Sequence, residues 1–354
     1  MATLSIFSRL RGIGAPARVV ALAATAVAVA ACSPAAQGGS EAVLRLGYFP
    51  NITHATAIVG VERGIFADAL GDDVTLDARS FNAGPDVVEA IFSGALDASY
   101  IGPNPALNAF AESNGEAIRI VSGATSGGAA LVVSEAIASV EDLAGARIGS
   151  PQLGNTQDVA LRAWLAEQGY ETTLEGGGDV EILPQANADI LTAFGAGELD
   201  GAWVPEPWAT RMVQEAGGHV LVDEADLWPE GRFVTTHLIV ATSFLEQHPD
   251  VVRDLLAGQV EANAFVNQRP DESQDIVRQA IADLTGSELD PGIVAAAWRN
   301  LAFTNDPIAS SLAESAAHAQ ELALLDERSF DGIYDLALLN EVLAEAGEPE
   351  VPQP

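Results

Sequence analysis

The chain has 354 residues, 48% of them hydrophobic, and carries 16 basic against 50 acidic residues for a formal net charge of −34 at pH 7. This length supports two lobes with real cores, and the charge makes nucleic acid and anionic membrane surfaces poor partners. Every basic residue is an arginine, which excludes lysine chemistry such as a Schiff base or a phosphate-cradling P-loop.

In residues 1–18, Arg9, Arg11 and Arg18 stand without an acidic neighbour. The apolar run VVALAATAVAVAA then leads into Cys32-Ser33-Pro34. A basic start, a short apolar stretch and small residues predict an export signal over 1–31, too short for a committed membrane span. Cys32 is the only cysteine. Val29-Ala30-Ala31-Cys32 resembles the bacterial lipobox, which implies a lipid-anchored Cys32 as the mature N-terminus. The remaining chain has 13 arginines against 50 acidic residues, a net −37. Residues 32–42 read as a flexible tether.

From Val43 short apolar runs alternate with helical stretches, the pattern of an α/β protein. Strands are predicted at 43–48, 73–80, 98–101 and 117–124, and the same order recurs at 146–150, 179–184, 201–204 and 219–222. GALDASYI (94–101) parallels GELDGAWV (197–204), and Pro103-Asn104-Pro105 answers Pro205-Glu206-Pro207. FNAGPDVVEAIF (81–92) falls against PQANADILTAFG (184–195), and Asn51-Ile52-Thr53 against Asn155-Thr156-Gln157. Blocks matching in the same order predict an internal duplication. Ligands of open parallel sheets sit beyond the carboxyl ends of the strands, so two facing units bring six turns to one cleft.

Residues 129–134 and 235–241 are apolar strands that bracket the second unit and predict a two-strand hinge. The first lobe is then expected at 43–128, the second at 129–238, and the return with the C-terminal helices at 239–347, followed by a tail at 348–354. Beyond Thr242 the chain reads as helical, with Ser243, Asp271, Asp290 and Asp306 as N-caps or first-turn acids. This part is expected to pack mostly on the first lobe.

LGYFPNITHA, SGALDASYIGPNPA, PQLGNTQDVALR, ELDGAWVPEPWA and the helical tail with HPDVV together resemble the substrate-binding lipoproteins of ABC importers. The resemblance covers about 43–345 and points to the sulfonate-, taurine- and nitrate-binding family, which includes thiamine-pyrimidine binders. It implies a two-lobed, type II periplasmic-binding-protein fold that closes on a small solute by hinge motion. It also implies delivery to a membrane permease with a cytoplasmic ATPase, a monomer on the outer face of the membrane (or in a periplasm), and no cofactor. An aliphatic sulfonate or a taurine-like zwitterion is the expected ligand, with nitrate or a pyrimidine precursor as alternatives.

The candidate ligand contacts lie on the turns. Tyr48, Phe49, Asn51 and Thr53 follow the first strand. Asn82 and Gly84 precede a helix that starts at Pro85. Asn104 is held between two prolines, and its counterpart cluster in the second unit is Trp203, Glu206 and Trp208. Gln152, Asn155, Thr156 and Gln157 open the helix after ARIGS, where N–H groups and small polar side chains point outward. Thr125 and Ser126 begin one crossing and Thr236 lies in the other. His237, alone in an apolar strand, reads as structural. Each turn residue also has a plain role as a helix cap or a hinge element. Helix-start N–H dipoles stabilise an anion by about 0.3–2 kcal/mol each, so no lysine is needed. An ionised Glu206 in the cleft favours a zwitterion over nitrate.

Nothing in the chain reads as a nucleophile elbow, a zinc-protease helix or a dinucleotide-binding loop. The histidines at 54, 219, 237, 248 and 318 lack metal-site spacing. A binding protein without metal or enzymatic activity is therefore expected. A secreted hydrolase using carboxylates such as Glu206 and Asp158, or a signalling lipoprotein, is the alternative on this fold.

Overall fold

A computed structural model describes residues 42–354; the expected export signal, Cys32 and the expected tether up to Glu41 lie outside the described residues. Eleven strands form two sheets among these residues. The first half supplies β1 (Ala42–Tyr48), β2 (Val74–Ser80), β3 (Ala98–Ile101) and β4 (Ile118–Gly127). The second supplies β5 (Ala129–Val133), β6 (Arg147–Pro151), β7 (Glu181–Gln185), β8 (Gly201–Pro205) and β9 (His219–Asp223), and the return adds β10 (Val234–Ala241) and β11 (Leu301–Phe303).

The sheet orders are β11-β4-β10-β3-β1-β2 and β7-β6-β8-β5-β9. In the first, β1 runs parallel to β2 and β3 while β10 is antiparallel to both β3 and β4. In the second, β6 runs parallel to β7 and β8 while β5 is antiparallel to β8 and β9. The two lobes thus repeat one topology, the two-lobed α/β fold read from the sequence duplication.

An arginine–aspartate clamp repeats with it. Asp97, at the entry to β3, accepts the Arg45 backbone N–H (2.8 Å) and, bidentately, the Nε and Nη2 of its guanidinium (2.8 and 2.5 Å), while Arg45 Nη1 donates to the Gly94 carbonyl. In the second lobe Asp200 accepts the Arg147 backbone N–H (2.9 Å) and its guanidinium (3.1 Å), and Arg147 donates to the Gly197 carbonyl. The clamp fixes the first strand of each lobe to the third, so their carboxyl ends open together.

The expected two-strand hinge is corrected. β5 and β10 do not pair with each other; each is the antiparallel strand of its own lobe's sheet. The chain crosses instead at Gly127 and Gly128, whose φ values of 80° and 76° suit glycine. The return chain is tied there by Gly127 N–H to the Phe233 carbonyl and Thr235 Oγ1 to the Gly127 carbonyl. β10 joins the first sheet from Val234, before the lobe boundary expected at 238/239.

The helices are α1 (Ala55–Glu62), α2 (Ile65–Leu70), α3 (Gly84–Phe92), α4 (Pro103–Glu112), α5 (Thr156–Glu167), α6 (Asn187–Gly195) and α7 (Trp208–Ala216). The C-terminal part adds α8 (Thr242–Gln247), α9 (Pro249–Gln268), α10 (Pro270–Thr285), α11 (Pro291–Trp298), α12 (Ala309–Glu321) and α13 (Ala337–Ala346). Proline opens α4, α9, α10 and α11, where its missing N–H costs nothing. Asp290 caps α11 through the Gly292 N–H at 2.7 Å. Ser243 lies inside α8, whose cap position is Ala241. The C-terminal helices share one core with β1, α1 and α2 of the first lobe, and Val351 of the expected tail is tied to Asn340. No helix of the described residues is long and apolar enough to cross a membrane.

Replacing Asp97 by Ala strands a backbone N–H and a guanidinium, so a loss of about 1–3 kcal/mol is expected from the urea midpoint. Asp200→Ala should cost less, because the Asp200 side chain is 35% exposed.

Candidate ligand-binding site

The turns of both lobes meet around a cavity of about 40 Å³. The first lobe contributes Phe49, Asn51, Thr53 and His54 after β1, Asn82 and Ala83 before α3, and Gly102 before α4. The second contributes Asn155, Thr156 and Gln157 at the start of α5 and Pro205 at the end of β8, and Thr235 reaches it from the return crossing.

The α5 turn is held from inside. Asp158, fully buried, accepts Ser150 Oγ (2.6 Å), the Gly154 N–H (2.9 Å) and Arg162 Nε (3.1 Å). Gly154 takes φ of +72°, which the turn requires. Asn155 caps the helix by accepting the Thr156 N–H at 2.9 Å. This leaves Thr156 Oγ1 at the cavity, buried and without a hydrogen-bond partner. Across the cleft, a Cβ built on Gly102 lies 2.5 Å from that hydroxyl, so only glycine lets the lobes approach this closely.

His54 lines the cavity from the first lobe. Its ring packs on Phe49 with centroids 4.4 Å apart, and its Nδ1 accepts the Phe49 N–H at 3.3 Å. Nδ1 therefore carries no proton and Nε2 carries one. Burial pushes the imidazole down to about 3, so it is a neutral donor across the physiological range. No charged side chain lines the cavity.

Seven of the sequence-predicted residues line it: Phe49, Asn51, Thr53, Asn82, Asn155, Thr156 and Gln157. Trp208 bridges the lobes at its edge, donating Nε1 to Asn51 Oδ1 at 3.1 Å with Arg211 stacked over its ring. Thr125 and Thr236 act from behind: both hydroxyls donate to the Thr53 carbonyl, at 2.7 and 3.1 Å. Ser126 is buried opposite Val234 and Ala302.

Six other expectations are corrected. Tyr48 belongs to the first lobe's core, because its side chain falls on the inward face of β1. Gly84 packs on Pro105. Asn104 turns into the protein, where its Oδ1 accepts Ser315 Oγ at 3.0 Å. Gln152 takes φ of 44° and its N–H bonds the Gln185 carbonyl, outside the cavity lining. Trp203 fills the second lobe's core against Trp164 (5.7 Å) and donates Nε1 to Glu224 at 2.7 Å.

Glu206 is the sixth. Its buried carboxylate accepts the Thr210 N–H (3.1 Å) and Oγ1 (2.9 Å) and Asn300 Nδ2 (2.7 Å). It faces a separate cavity of about 340 Å³ flanking the hinge between α7 and α11. That cavity is larger but does not gather the helix starts of both lobes. Burial pushes the Glu206 carboxyl above its ordinary value.

The lining residues missed from the sequence are His54, Gly102 and Pro205, while Ala83 and Thr235 adjoin the predicted Asn82 and Thr236. His54 sits in the NITHA segment directly after the first binding turn, and that adjacency was its one available signal. His237 is structural, its Nε2 bonded to the Pro307 carbonyl at 2.9 Å. Among the described residues no group of three or more His, Cys, Asp or Glu is arranged to hold a metal ion.

Residues 37–282 match the model of the NMT1-like family. The chain belongs to the NMT1-like family. It is 29% identical over 197 residues to the taurine-binding periplasmic protein of Escherichia coli K12, covering 56% of this chain and 59% of that one. Among solved structures it is similar to the periplasmic nitrate-binding protein NrtA from Synechocystis PCC 6803, with a TM-score of 0.70 and 15% identity over 88% of this chain and 90% of that one. It is also similar to the periplasmic aliphatic sulphonate-binding protein SsuA of Escherichia coli, with a TM-score of 0.65 and 21% identity over 81% and 95% of the two chains. This NMT1-like chain thus has the fold of solute-binding components of ABC importers.

Gly102→Ala should prop the lobes apart. Ligand affinity is expected to fall on the order of tenfold or more, about 1.4 kcal/mol, with little change in Tm, and X-ray scattering should show less compaction on ligand addition. The buried histidines set an acid limit. His54 and His237, lowered by burial to about 3 and about 4 from 6.5, stay neutral in the fold while the unfolded chain protonates. Their contribution is present above pH 6.5 and is lost as pH falls toward 4, by about 1.4 kcal/mol per pH unit for each histidine. Urea midpoints of His54→Gln between pH 7 and 4 should show one such share of the slope removed.

Proposed function

We propose that this chain is the extracytoplasmic solute-binding component of an ABC importer and captures a small anion of the sulfonate type. One observation carries the reading: the cleft presents neutral donors and helix starts from both lobes and no charged side chain. Aligned N–H groups and hydroxyls stabilise an anion at contact range, where the distant acidic surface is screened. The relatives named for taurine, aliphatic sulphonate and nitrate support the anion class.

With Glu206 turned to the flank, an ammonium group in the cleft has no carboxylate to meet. The zwitterion preference drawn from the sequence is therefore replaced by a preference for a plain anion. The 40 Å³ volume favours a compact head group, so nitrate is the second reading.

The ligand contacts His54 and its neighbours on one lobe and Thr156 with Gln157 on the other, so closure about Gly127 and Gly128 is favoured by contacts made only in the closed form. The closed protein, a monomer held to the outer membrane face by acyl chains on Cys32, then docks on a permease driven by a cytoplasmic ATPase.

Calorimetry with ethanesulfonate, taurine and nitrate tests the reading. Ethanesulfonate is expected to bind at least as tightly as taurine, with affinity flat from pH 8 to 5 because His54 does not titrate there. Taurine binding tenfold tighter than ethanesulfonate would overturn the plain-anion assignment, and heat from none of the three would overturn the anion class.

A further inference from the structure

A second cavity with the opposite chemistry lies on the seam between the lobes. It measures about 100 Å³ and is walled by Trp164 of α5, Trp228 before the return crossing and His318 of α12. Trp228 is held flat against Phe233, with centroids 5.7 Å apart and planes within 15°, and its other neighbour is the His318 ring at 6.5 Å. Three carboxylates complete the lining: Glu167 on α5, Glu224 beneath the indoles and Glu314 on α12.

Glu224 is 2% exposed. Its Oε2 accepts Trp203 Nε1 at 2.7 Å and the Trp228 indole also bonds the carboxyl, while burial pushes it up to about 7. Among the described residues, none of the three glutamates lies within ion-pair distance of an arginine. A buried carboxyl normally has a paired charge or stays neutral. Here the chain places further negative charge and π-faces around it rather than a cation. Indole faces attract organic cations, most strongly where water is displaced, and the overall charge of −34 draws cations toward the surface.

We propose that this cavity binds a small alkylammonium ion, seated between Trp164 and Trp228 with its charge toward Glu224 and Glu314. The site is separate from the anion cleft and uses none of its residues. Because α5 belongs to the second lobe and α12 packs on the first, the occupant touches both lobes and favours their closed arrangement.

Titration of the purified protein with tetramethylammonium chloride, at ionic strength held constant with sodium chloride, tests this through tryptophan fluorescence and calorimetry. Saturable one-to-one binding is expected, weakened about fivefold or more by Trp228→Ala and by Glu314→Gln. Glu314 is exposed on α12, so its variant stays informative if Trp228→Ala fails to fold. Anion binding measured on Glu314→Gln should be unchanged, which separates this site from the cleft. A non-saturable response, an equal response to sodium chloride, or wild-type affinity in Glu314→Gln would each overturn the proposal.

Discussion

The cleft depends first on how the opening strand of each lobe is locked to its neighbour. Asp97 and Asp200 each bind a backbone N–H and a guanidinium on the facing strand, so β1 with β3, and β6 with β8, present their carboxyl ends at one level. Polar turns then rise from a common rim, and the helices behind them start at the cleft. A pair of lone surface ions adds little stability. Here the carboxylates also satisfy main-chain groups at the strand entry, which ties the ion pair to the sheet geometry itself. The same device in both lobes is why two half-sites of similar shape can face each other.

Although the chain is strongly acidic, no charged side chain reaches the cleft lining. The buried ion pair behind the cavity, Asp158 with Arg162, faces inward and holds the α5 turn. Such a pair contributes little net stability once desolvation is counted, but it leaves the Thr156 hydroxyl aimed at the cavity. His54 follows the same logic, with burial keeping it neutral and the Phe49 N–H fixing which nitrogen donates. The cavity is thus lined by oriented dipoles that need no counterion of their own.

The WVPEPW segment (203–208) illustrates how one short stretch divides among several environments. Trp203 points into the second lobe's core, Pro205 lines the cleft, Glu206 turns to the flanking cavity and Trp208 reaches Asn51 on the other lobe. Consecutive strand residues face opposite sides, and the helix that follows rotates the next ones again. Composition marks such a segment as rich in recognition chemistry but cannot set its phase. Thr125 and Thr236 show the same limit: hydroxyls beside the cleft are as useful for holding the Thr53 carbonyl as for touching ligand.

The sequence alone determined the duplication, the α/β class and the turns that meet, because these rest on local periodicity and on residue matches that survive without coordinates. It also marked Asn51, Thr53, Asn155, Thr156 and Gln157, whose helix-start position fixes the direction of their N–H groups. Only the tertiary structure decided which lobe each crossing strand joins, since β5 and β10 are both buried throughout and differ in long-range partners. It alone placed Gly102 against Thr156, turned Glu206 to a separate cavity and brought His54 to the cleft wall. Those outcomes depend on the closeness of two lobes more than fifty residues apart in the chain, a distance that no local pattern encodes.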